Sequence, residues 1–240
     1  MSRFSDFLRR AKNTSCSVVV VAAGASTRMG EDKLFMDLAG KPVLARTLTA
    51  LNACSCVDEI VVVTRLESLE KVAALCREYR VDKVGKVVVG GASRTESALA
   101  GLVQIRRNAK YVLIHDGARP LITTEAIDHA IDVLVSDRAL DGVVCGQPAI
   151  DTLKIVDGDN IVETPPRELY WAAQTPQIFS VDAMKRAHAA AIAESFIGTD
   201  DSSLVERMGG RVRCVQSPRD NLKVTVPEDL RPVTAILLGR

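Results

Sequence analysis

The sequence lacks several features that would assign a protein of this size to a common class. In 240 residues, no apolar run approaches the roughly 20 residues that a membrane-spanning helix requires. The N-terminus also lacks the hydrophobic core of a secretion signal. The formal net charge is only +1, so the chain has no global field that would capture DNA or an anionic membrane. We therefore expect a protein that binds neither nucleic acid nor a membrane.

The cysteines lack the spacing of the usual zinc and disulfide frameworks. There is no pair of CxxC units and no histidine pair at metal-ligand spacing. Several cysteines lie in apolar stretches, where a small buried thiol is the usual interpretation. Such thiols fit a reducing compartment, so we expect a cytoplasmic protein without structural zinc or disulfides. The six are Cys16, Cys54, Cys56, Cys76, Cys145 and Cys214.

From residue 17 onwards, short continuous apolar runs alternate with helical segments. Continuous rather than alternating apolar runs are typical of strands that are buried on both faces of a parallel sheet. Strands are predicted at 18–22, 59–64, 84–89, 111–115, 142–148 and 212–216, and helices at 42–53, 66–79, 94–104, 124–135 and 181–194. The helices are long enough for right-handed crossovers. The pattern predicts an α/β fold, with a Rossmann-like, mostly parallel twisted sheet flanked by helices.

Two segments depart from this alternation. Apolar triplets lie on either side of Asp157-Gly158-Asp159-Asn160, a turn-rich sequence that predicts a β-hairpin arm at about 150–167. Because an isolated hairpin has little stability unless it packs on something, we expect a homodimer formed through the arm. Residues 1–16 are predicted to be a flexible extension. Residues 17–240 are predicted to form one domain, with no second enzyme fused to it.

A loop of small residues follows the first predicted strand. It reads AAGASTRMG at 22–30, and Lys33 lies three residues further on. Two fixed cations after such a loop suit a nucleoside triphosphate, because phosphoryl or nucleotidyl transfer requires charge neutralisation and alignment. Mg²⁺ or another divalent cation would share that task through phosphate oxygens. The alternative is an ordinary strand-to-helix turn on which Arg28 and Lys33 are merely solvated.

The fingerprints of other nucleotide-binding classes are missing. Neither GxGxxG nor GxxxxGK[ST] occurs in the chain. The second predicted strand ends on Thr64-Arg65, without the acidic residue that binds the ribose of a dinucleotide. A nicotinamide-dependent oxidoreductase is therefore disfavoured.

Two further motifs follow predicted strands. HDGARP at 115–120 would place Asp116 and Arg119 at the carboxyl edge of the sheet, where doubly wound folds bind ligands. The alternative is a turn closed by an Asp116–Arg119 ion pair. His115 ends a buried strand and is predicted to be a hydrogen-bonded core histidine rather than a general base. GGASRTES at 90–97 combines a diglycine with a helix start, where backbone amides can bind a ligand. Helix capping by Ser93 explains that motif equally well.

Taken in order, these motifs resemble one family. AAGASTRMG, the following Lys33, GGASRTES, HDGARP, DTLK, QTPQ and NLKVTVPEDL are together similar to the 2-C-methyl-D-erythritol 4-phosphate cytidylyltransferases, from about residue 17 to the C-terminus. The resemblance implies a nucleotidyltransferase that moves CMP from CTP to 2-C-methyl-D-erythritol 4-phosphate. The products would be 4-diphosphocytidyl-2-C-methyl-D-erythritol and pyrophosphate, in non-mevalonate isoprenoid precursor synthesis. Mg²⁺ would be held mainly by the CTP phosphates, with no protein ligand of its own.

The resemblance also implies roles for individual residues. The catalytic residues would be Arg28, Lys33, Arg167 and Lys223. CTP would lie against Ala22, Ala23, Gly24, Gly91, Ala92, Ser97 and Gly117. The acceptor would contact Asp116, Arg119, Thr152, Thr175 and Thr199. In the family, the arm hooks around a second subunit and carries Thr152 and Arg167 towards the neighbour's site. Two departures are an alanine at 92, where an acidic residue is frequent, and a glycine at 117 in place of alanine.

Two other functions stay open on the sequence. A ribitol 5-phosphate cytidylyltransferase shares the fold and chemistry and differs mainly in its acceptor pocket. A non-catalytic nucleotide-binding protein would need Arg28, Lys33 or Lys223 to be missing, and all three are present. Without the resemblance, Lys223 would be interpreted as a solvated lysine. Arg167 would be interpreted as the partner of Glu163 or Glu168 in a surface ion pair.

Overall fold

The computed structural model of the chain describes residues 15–24 and 32–239. Within them lie the strands β1 Cys16–Val21, β2 Asp37–Leu38, β3 Lys41–Pro42, β4 Val57–Thr64, β5 Val84–Val89, β6 Tyr111–Asp116, β7 Gly142–Pro148, β8 Ile155–Asp157, β9 Asn160–Glu163, β10 Trp171–Ser180 and β11 Val212–Gln216. The α-helices are α1 Val43–Ala53, α2 Leu69–Glu78, α3 Arg94–Leu102, α4 Thr124–Ser136, α5 Val181–Ala193, α6 Asp201–Arg207 and α7 Leu230–Leu238.

Seven strands form one central sheet in the order β11-β7-β10-β6-β1-β4-β5. Strand β1 pairs in parallel with both β4 and β6, and β11 pairs in parallel with β7. Among the described strands of this sheet, only β10 runs antiparallel to its two neighbours, β6 and β7. The predicted α/β fold with a mostly parallel sheet is confirmed.

The apolar run of β1 is buried on both faces of this sheet. Val18 and Val20 pack into a core with α1 and α4, whereas Val19 packs into a core with α3, α5 and α6. This division follows from the alternation of side chains along a strand. Continuous runs of valine therefore form a sheet with a helical layer on each face.

The predicted arm is also confirmed. Strands β8 and β9 pair antiparallel and form a two-stranded sheet of their own. Gly158 in the connecting turn has φ +57°, a left-handed conformation that glycine adopts at no steric cost. The apolar side chains of the arm are exposed.

Several elements were missed by the sequence prediction. The most important is β10, whose polar residues Gln174, Thr175 and Gln177 interrupt the apolar pattern of a buried strand. The short β2–β3 hairpin and the helices α6 and α7 were missed as well.

The first strand begins one residue before residue 17, the predicted start of the domain. Strand β1 begins at Cys16, and the Ser15 carbonyl accepts the amides of Lys110 and Tyr111. Most of the predicted flexible extension, residues 1–14, lies outside the described residues. Within 15–24 and 32–239, no helix has the length and apolar character required to cross a membrane.

Candidate active site

A cleft of about 330 Å³ opens at the carboxyl ends of β1 and β6. It is built from the loops that follow these strands and β5, together with the start of α3 and the segment around residue 223. Its lining residues are Val21, Ala22, Ala23, Gly24, Lys33, Leu34, Gly91, Ala92, Ser93, Arg94, Ser97, Asp116, Ala118 and Lys223. The cleft therefore brings together most of the residues predicted to contact CTP, with Lys33, Asp116 and Lys223.

Small residues let two loops approach closely at the floor of the cleft. The Ala22 amide donates to the Val63 carbonyl over 2.7 Å. A side chain at Gly90 would lie 2.7 Å from Ala23 Cβ and 2.7 Å from Ser97 Oγ, so only glycine fits there. A Cβ on Gly24, in contrast, would face open space. Backbone is thus accessible at the position where a ligand would lie.

The first turn of α3 forms one wall of the cleft. Ser93 caps the helix, because its Oγ accepts the Glu96 amide over 3.1 Å. The buried Ser97 hydroxyl donates to the Ser93 carbonyl over 2.9 Å. The Ala92 amide donates to Glu96 Oε2 over 2.8 Å. At position 92, where the family often has an acidic residue, the backbone amide therefore already has Glu96 as its partner.

Three cations surround the carboxylate of Asp116. Lys223 Nζ lies 2.8 Å from Oδ2, Arg119 Nε lies 3.5 Å from Oδ2, and Arg94 Nε lies 3.7 Å from Oδ1. Burial alone would raise the pKa of Asp116, but Lys223, Arg94 and Arg119 lower it to about 2. The carboxylate is ionised at neutral pH, and the ion pair with Arg119 that the sequence suggested is present.

A second buried carboxylate lies behind this cluster. Asp201 Oδ2 is 2.7 Å from Arg94 Nη2, and the Asp201 side chain is only 1% exposed. Burial raises the pKa of Asp201, and the Arg94 guanidinium opposes this. The Asp201 and Ser202 amides both donate to Gln177 Oε1, which fixes the start of α6. Arg94 therefore pairs with both Asp116 and Asp201. Its local sequence did not predict this role.

A chain of hydrogen bonds holds Asp116 from the side of the sheet. Thr175 Oγ1 accepts the Asp116 amide over 3.0 Å and donates to His115 Nδ1 over 3.1 Å. His115 Nε2 then donates to the Arg119 carbonyl over 3.3 Å. Burial lowers the pKa of His115 to about 4, so the imidazole is neutral at pH 7. The prediction of a core histidine is confirmed, and the Thr175 hydroxyl positions Asp116 from within the protein.

The C-terminal part of the chain supports Arg119. Arg119 Nη1 donates to the Asn221 carbonyl over 2.8 Å, and the Asn221 side-chain amide donates to the Thr175 carbonyl over 2.9 Å. The Gly117 amide donates to the Val21 carbonyl over 2.9 Å, beside the cleft. Lys223 follows Asn221 and is held next to Asp116 by the same segment.

The other predicted residues do not line this cleft. Thr152 and Arg167 lie exposed on or beside the arm, and Thr199 lies exposed shortly before α6. Arg167 Nη1 donates to the Ile150 carbonyl over 2.8 Å. Arg28 lies outside the described residues. Lys33 begins a short 3₁₀ helix that Asp32 caps by accepting the Leu34 amide.

The fold and the cleft together define a class of protein. A mostly parallel sheet with a loop of small residues after its first strand, and cations gathered at its carboxyl edge, is the architecture of a Rossmann-like nucleotidyltransferase. A family model for 2-C-methyl-D-erythritol 4-phosphate cytidylyltransferase matches residues 16–238. The chain belongs to this family, and it is therefore an enzyme of the nucleotidyltransferase class.

Individual relatives agree with the family model. The 2-C-methyl-D-erythritol 4-phosphate cytidylyltransferase of Halalkalibacterium halodurans is 41% identical over 223 residues, which cover 92% of this chain and 96% of the relative. The protein of the same name from Caldanaerobacter subterraneus is 42% identical over 89% of this chain and 95% of its own length. The solved 4-diphosphocytidyl-2C-methyl-D-erythritol synthase of Anaerococcus prevotii matches with a TM-score of 0.81 at 29% identity, over 93% and 98% of the two chains.

Proposed function

We propose that this chain transfers CMP from CTP to 2-C-methyl-D-erythritol 4-phosphate, with release of pyrophosphate. The observation that carries the proposal is the set of three cations around Asp116, next to a cleft floor of small residues. These three cations and the two carboxylates Asp116 and Asp201 leave one net positive charge beside the cleft. Such a site suits an acceptor that carries both hydroxyl groups and a phosphate.

The proposed reaction is an in-line displacement at the α-phosphorus of CTP. An oxygen of the acceptor phosphate forms the new bond, the bond from the α-phosphorus to the bridging oxygen breaks, and pyrophosphate leaves with that electron pair. No covalent enzyme intermediate is required. Lys223 would orient the acceptor phosphate, while Arg28 and Lys33 would stabilise the charge that accumulates on the triphosphate.

Asp116 would bind the hydroxyl groups of the acceptor. Because its pKa is lowered to about 2, it stays ionised and accepts hydrogen bonds rather than donating a proton. Its position between Lys223 and Arg119 would place the polyol next to the phosphate-binding lysine. Gly91 and Ser97 also line the cleft, and the cytidine would bind against them.

Mg²⁺ is proposed to enter together with CTP. Among the described residues that line the cleft, Asp116 is the only carboxylate, and three cations already surround it. These residues therefore do not form a protein cage for Mg²⁺, an ion that is commonly bound through substrate phosphates. When bound, the ion would neutralise phosphate charge.

We also propose that the chain acts as a homodimer through its arm. Val156, Ile161 and Val162 are 55%, 63% and 65% exposed, and a two-stranded hairpin with this apolar surface requires a partner. Thr152 and Arg167 flank the arm and do not line the cleft of their own chain. This arrangement supports the proposal that they serve the neighbour's site.

The cytoplasm is the proposed location, because the six cysteines are all free thiols.

Pyrophosphate release tests the proposed reaction. We expect release with Mg²⁺, CTP and 2-C-methyl-D-erythritol 4-phosphate, and far less when ATP, GTP or UTP replaces CTP. Ribitol 5-phosphate is the matched control for the acceptor. A preference for ribitol 5-phosphate would keep the mechanism and overturn the acceptor. If no pair of nucleotide and acceptor gave pyrophosphate release, the result would favour a non-catalytic nucleotide-binding role for the chain.

A further inference from the structure

Three side chains of types that can ligate metals converge at the edge of the sheet opposite to the cleft. Cys54 follows α1, Cys56 precedes β4, and Asp128 lies on α4. The sulfur atoms of the two cysteines are 3.0 Å apart, and Cys54 Sγ is 3.5 Å from Asp128 Oδ1. One ligand atom from each of the three residues lies within 4.8 Å of the other two. The strand β4 starts here and ends at the cleft, so this cluster lies at the amino edge of the sheet.

The cluster is held in place by the surrounding backbone. Cys54 is fully buried and Cys56 is 4% exposed, whereas Asp128 is half-buried and gives the cluster access to solvent. The Cys54 amide donates to the Leu51 carbonyl, and the Cys54 carbonyl accepts from Lys83 Nζ over 2.6 Å. The ligand atoms are therefore already assembled before any ion arrives.

We propose that Cys54, Cys56 and Asp128 form a binding site for a thiophilic divalent cation, with Zn²⁺ as the reference ion. Two thiolates, one carboxylate and one water would complete the four-coordinate shell that zinc prefers. Binding would release the two thiol protons, since the metal ligand is the thiolate. Two sulfurs about 2.3 Å from a tetrahedral zinc lie roughly 3.8 Å apart, so the two side chains would separate by less than about 1 Å.

The third ligand distinguishes this site from an ordinary pair of buried thiols. Asp128 is separated from Cys54 by 74 residues, and only the packing of α4 against α1 brings its carboxylate to the sulfur. A disulfide would use the two sulfurs and leave the carboxylate without a role. The ion would join the end of α1, the start of β4 and the middle of α4, at a site that the spacing of the cysteines did not predict. The inference is independent of the proposed function.

Cobalt titration tests the site without an activity measurement. The full-length chain would be freed of metal, reduced with a phosphine and titrated with Co²⁺ without oxygen. We expect a sulfur-to-cobalt charge-transfer band that saturates at one ion per chain and disappears when Zn²⁺ is added. Cys54→Ser and Cys56→Ser should abolish the band. Asp128→Asn should bind more weakly and shift the visible spectrum. Cys145→Ser, at a buried cysteine of β7, is the matched control and should behave like the wild type.

A second measurement keeps the test valid if a cysteine variant does not fold. The midpoint of thermal unfolding of the wild type should rise with Zn²⁺ concentration, and that of Asp128→Asn should rise less. The inference is overturned if the wild type shows no saturable band, or if Asp128→Asn gives the wild-type spectrum and affinity. It is also overturned if the isolated chain has lost two hydrogens and Cys54 and Cys56 resist alkylation after denaturation, because a disulfide would then occupy the site.

Discussion

Lys223 is the residue through which the segment after β11 reaches the cleft. Its ammonium group lies 2.8 Å from Asp116 and is 39% exposed, so one side pairs with the protein while the other can meet a phosphate. We expect Lys223→Met to lower the rate of pyrophosphate release about a hundredfold, since loss of one preorganised charge costs ~2.7–4 kcal/mol of barrier. Lys185→Met, at an exposed lysine of α5, is the control and should keep the wild-type rate. A Lys223→Met enzyme within a few-fold of wild type would contradict the proposed role.

Arg94 is predicted to stabilise the fold at the same site. Its guanidinium is the ion-pair partner of Asp201, which is almost completely buried. Arg94→Met would leave that charge without a cation, so we expect the free energy of unfolding to fall by about 3 kcal/mol. Arg94→Met combined with Asp201→Asn should recover most of this loss. Denaturant unfolding measures both.

A surface ion pair provides the control for Arg94. Arg186 pairs with Asp182 on α5, where the two side chains are 61% and 86% exposed. Arg186→Met should change the free energy of unfolding by less than about 1 kcal/mol, because exposed ion pairs contribute little. If the double variant Arg94→Met/Asp201→Asn were as unstable as Arg94→Met alone, the loss would not come from the uncompensated charge of Asp201.

His115 makes the stability of the fold depend on pH. Its pKa is about 4 in the folded chain and 6.5 without the effect of burial, so the unfolded chain binds a proton that the folded chain does not. Stability should therefore fall as the pH decreases from about 6.5 to 4, by about 3 kcal/mol for this group. Asp116 affects stability at lower pH, because its contribution to the free energy of unfolding is lost between about pH 4 and pH 2. The free energy of unfolding measured across this range should show a smaller slope in His115→Gln. His129→Gln, at an exposed position of α4, should keep the wild-type slope.

At the scale of elements, Gly101 sets the distance between α3 and the sheet. A Cβ at this position would lie 2.8 Å from Val63 Cγ2 and 3.1 Å from Val19 Cγ2, so the helix could not pack where it does. We expect Gly101→Ala to destabilise the fold by ~1–3 kcal/mol despite the better helix propensity of alanine. Because α3 carries Arg94 and Ser97, the variant should also raise the KM for CTP.

A substitution at a second glycine distinguishes the effect of close packing from the effect of losing glycine's backbone freedom. At Gly85 in β5, an added Cβ would lie 3.6 Å from the Glu59 side chain, an ordinary contact. Gly85→Ala should therefore leave both the unfolding midpoint and the KM close to wild type. Equal effects of the two substitutions would show that close packing at Gly101 is not what positions α3.

At the scale of the whole molecule, a shared site between two subunits predicts complementation. In a mixture of Arg167→Met and Lys223→Met chains, each mixed dimer contains one site with both wild-type residues. Random exchange should restore about a quarter of the wild-type activity, since half of the dimers are mixed and each has one intact site. Pyrophosphate release before and after subunit exchange measures this.

The matched control uses two residues of one cleft. Lys33 and Lys223 line the same cleft within a chain, so a mixture of Lys33→Met and Lys223→Met should recover nothing. Recovery in this control would mean that Lys33 and Lys223 serve different sites. A chain that sediments as a monomer and keeps full activity would contradict the dimer altogether.

Much of the fold follows from local pattern. The six predicted strands and the arm were recognisable because runs such as SVVVV and the turn DGDN express burial and backbone conformation in neighbouring residues. Strand β10 was not recognisable, because its polar residues Gln174, Thr175 and Gln177 look unlike a central strand. They are tolerated there because Gln177 binds the start of α6 and Thr175 binds His115 and Asp116.

The sequence by itself determined the family, the α/β architecture and many of the residues that line the cleft. These depend on motifs whose members are adjacent in the chain. Only the tertiary structure decided the pairing of Arg94 with Asp201, the hydrogen bond from Ala92 to Glu96 and the approach of Asp128 to Cys54. The physical reason is that charge pairing and metal-ligand geometry depend on distances of a few ångströms, and side chains up to 107 positions apart reach them only when the helices pack on the sheet.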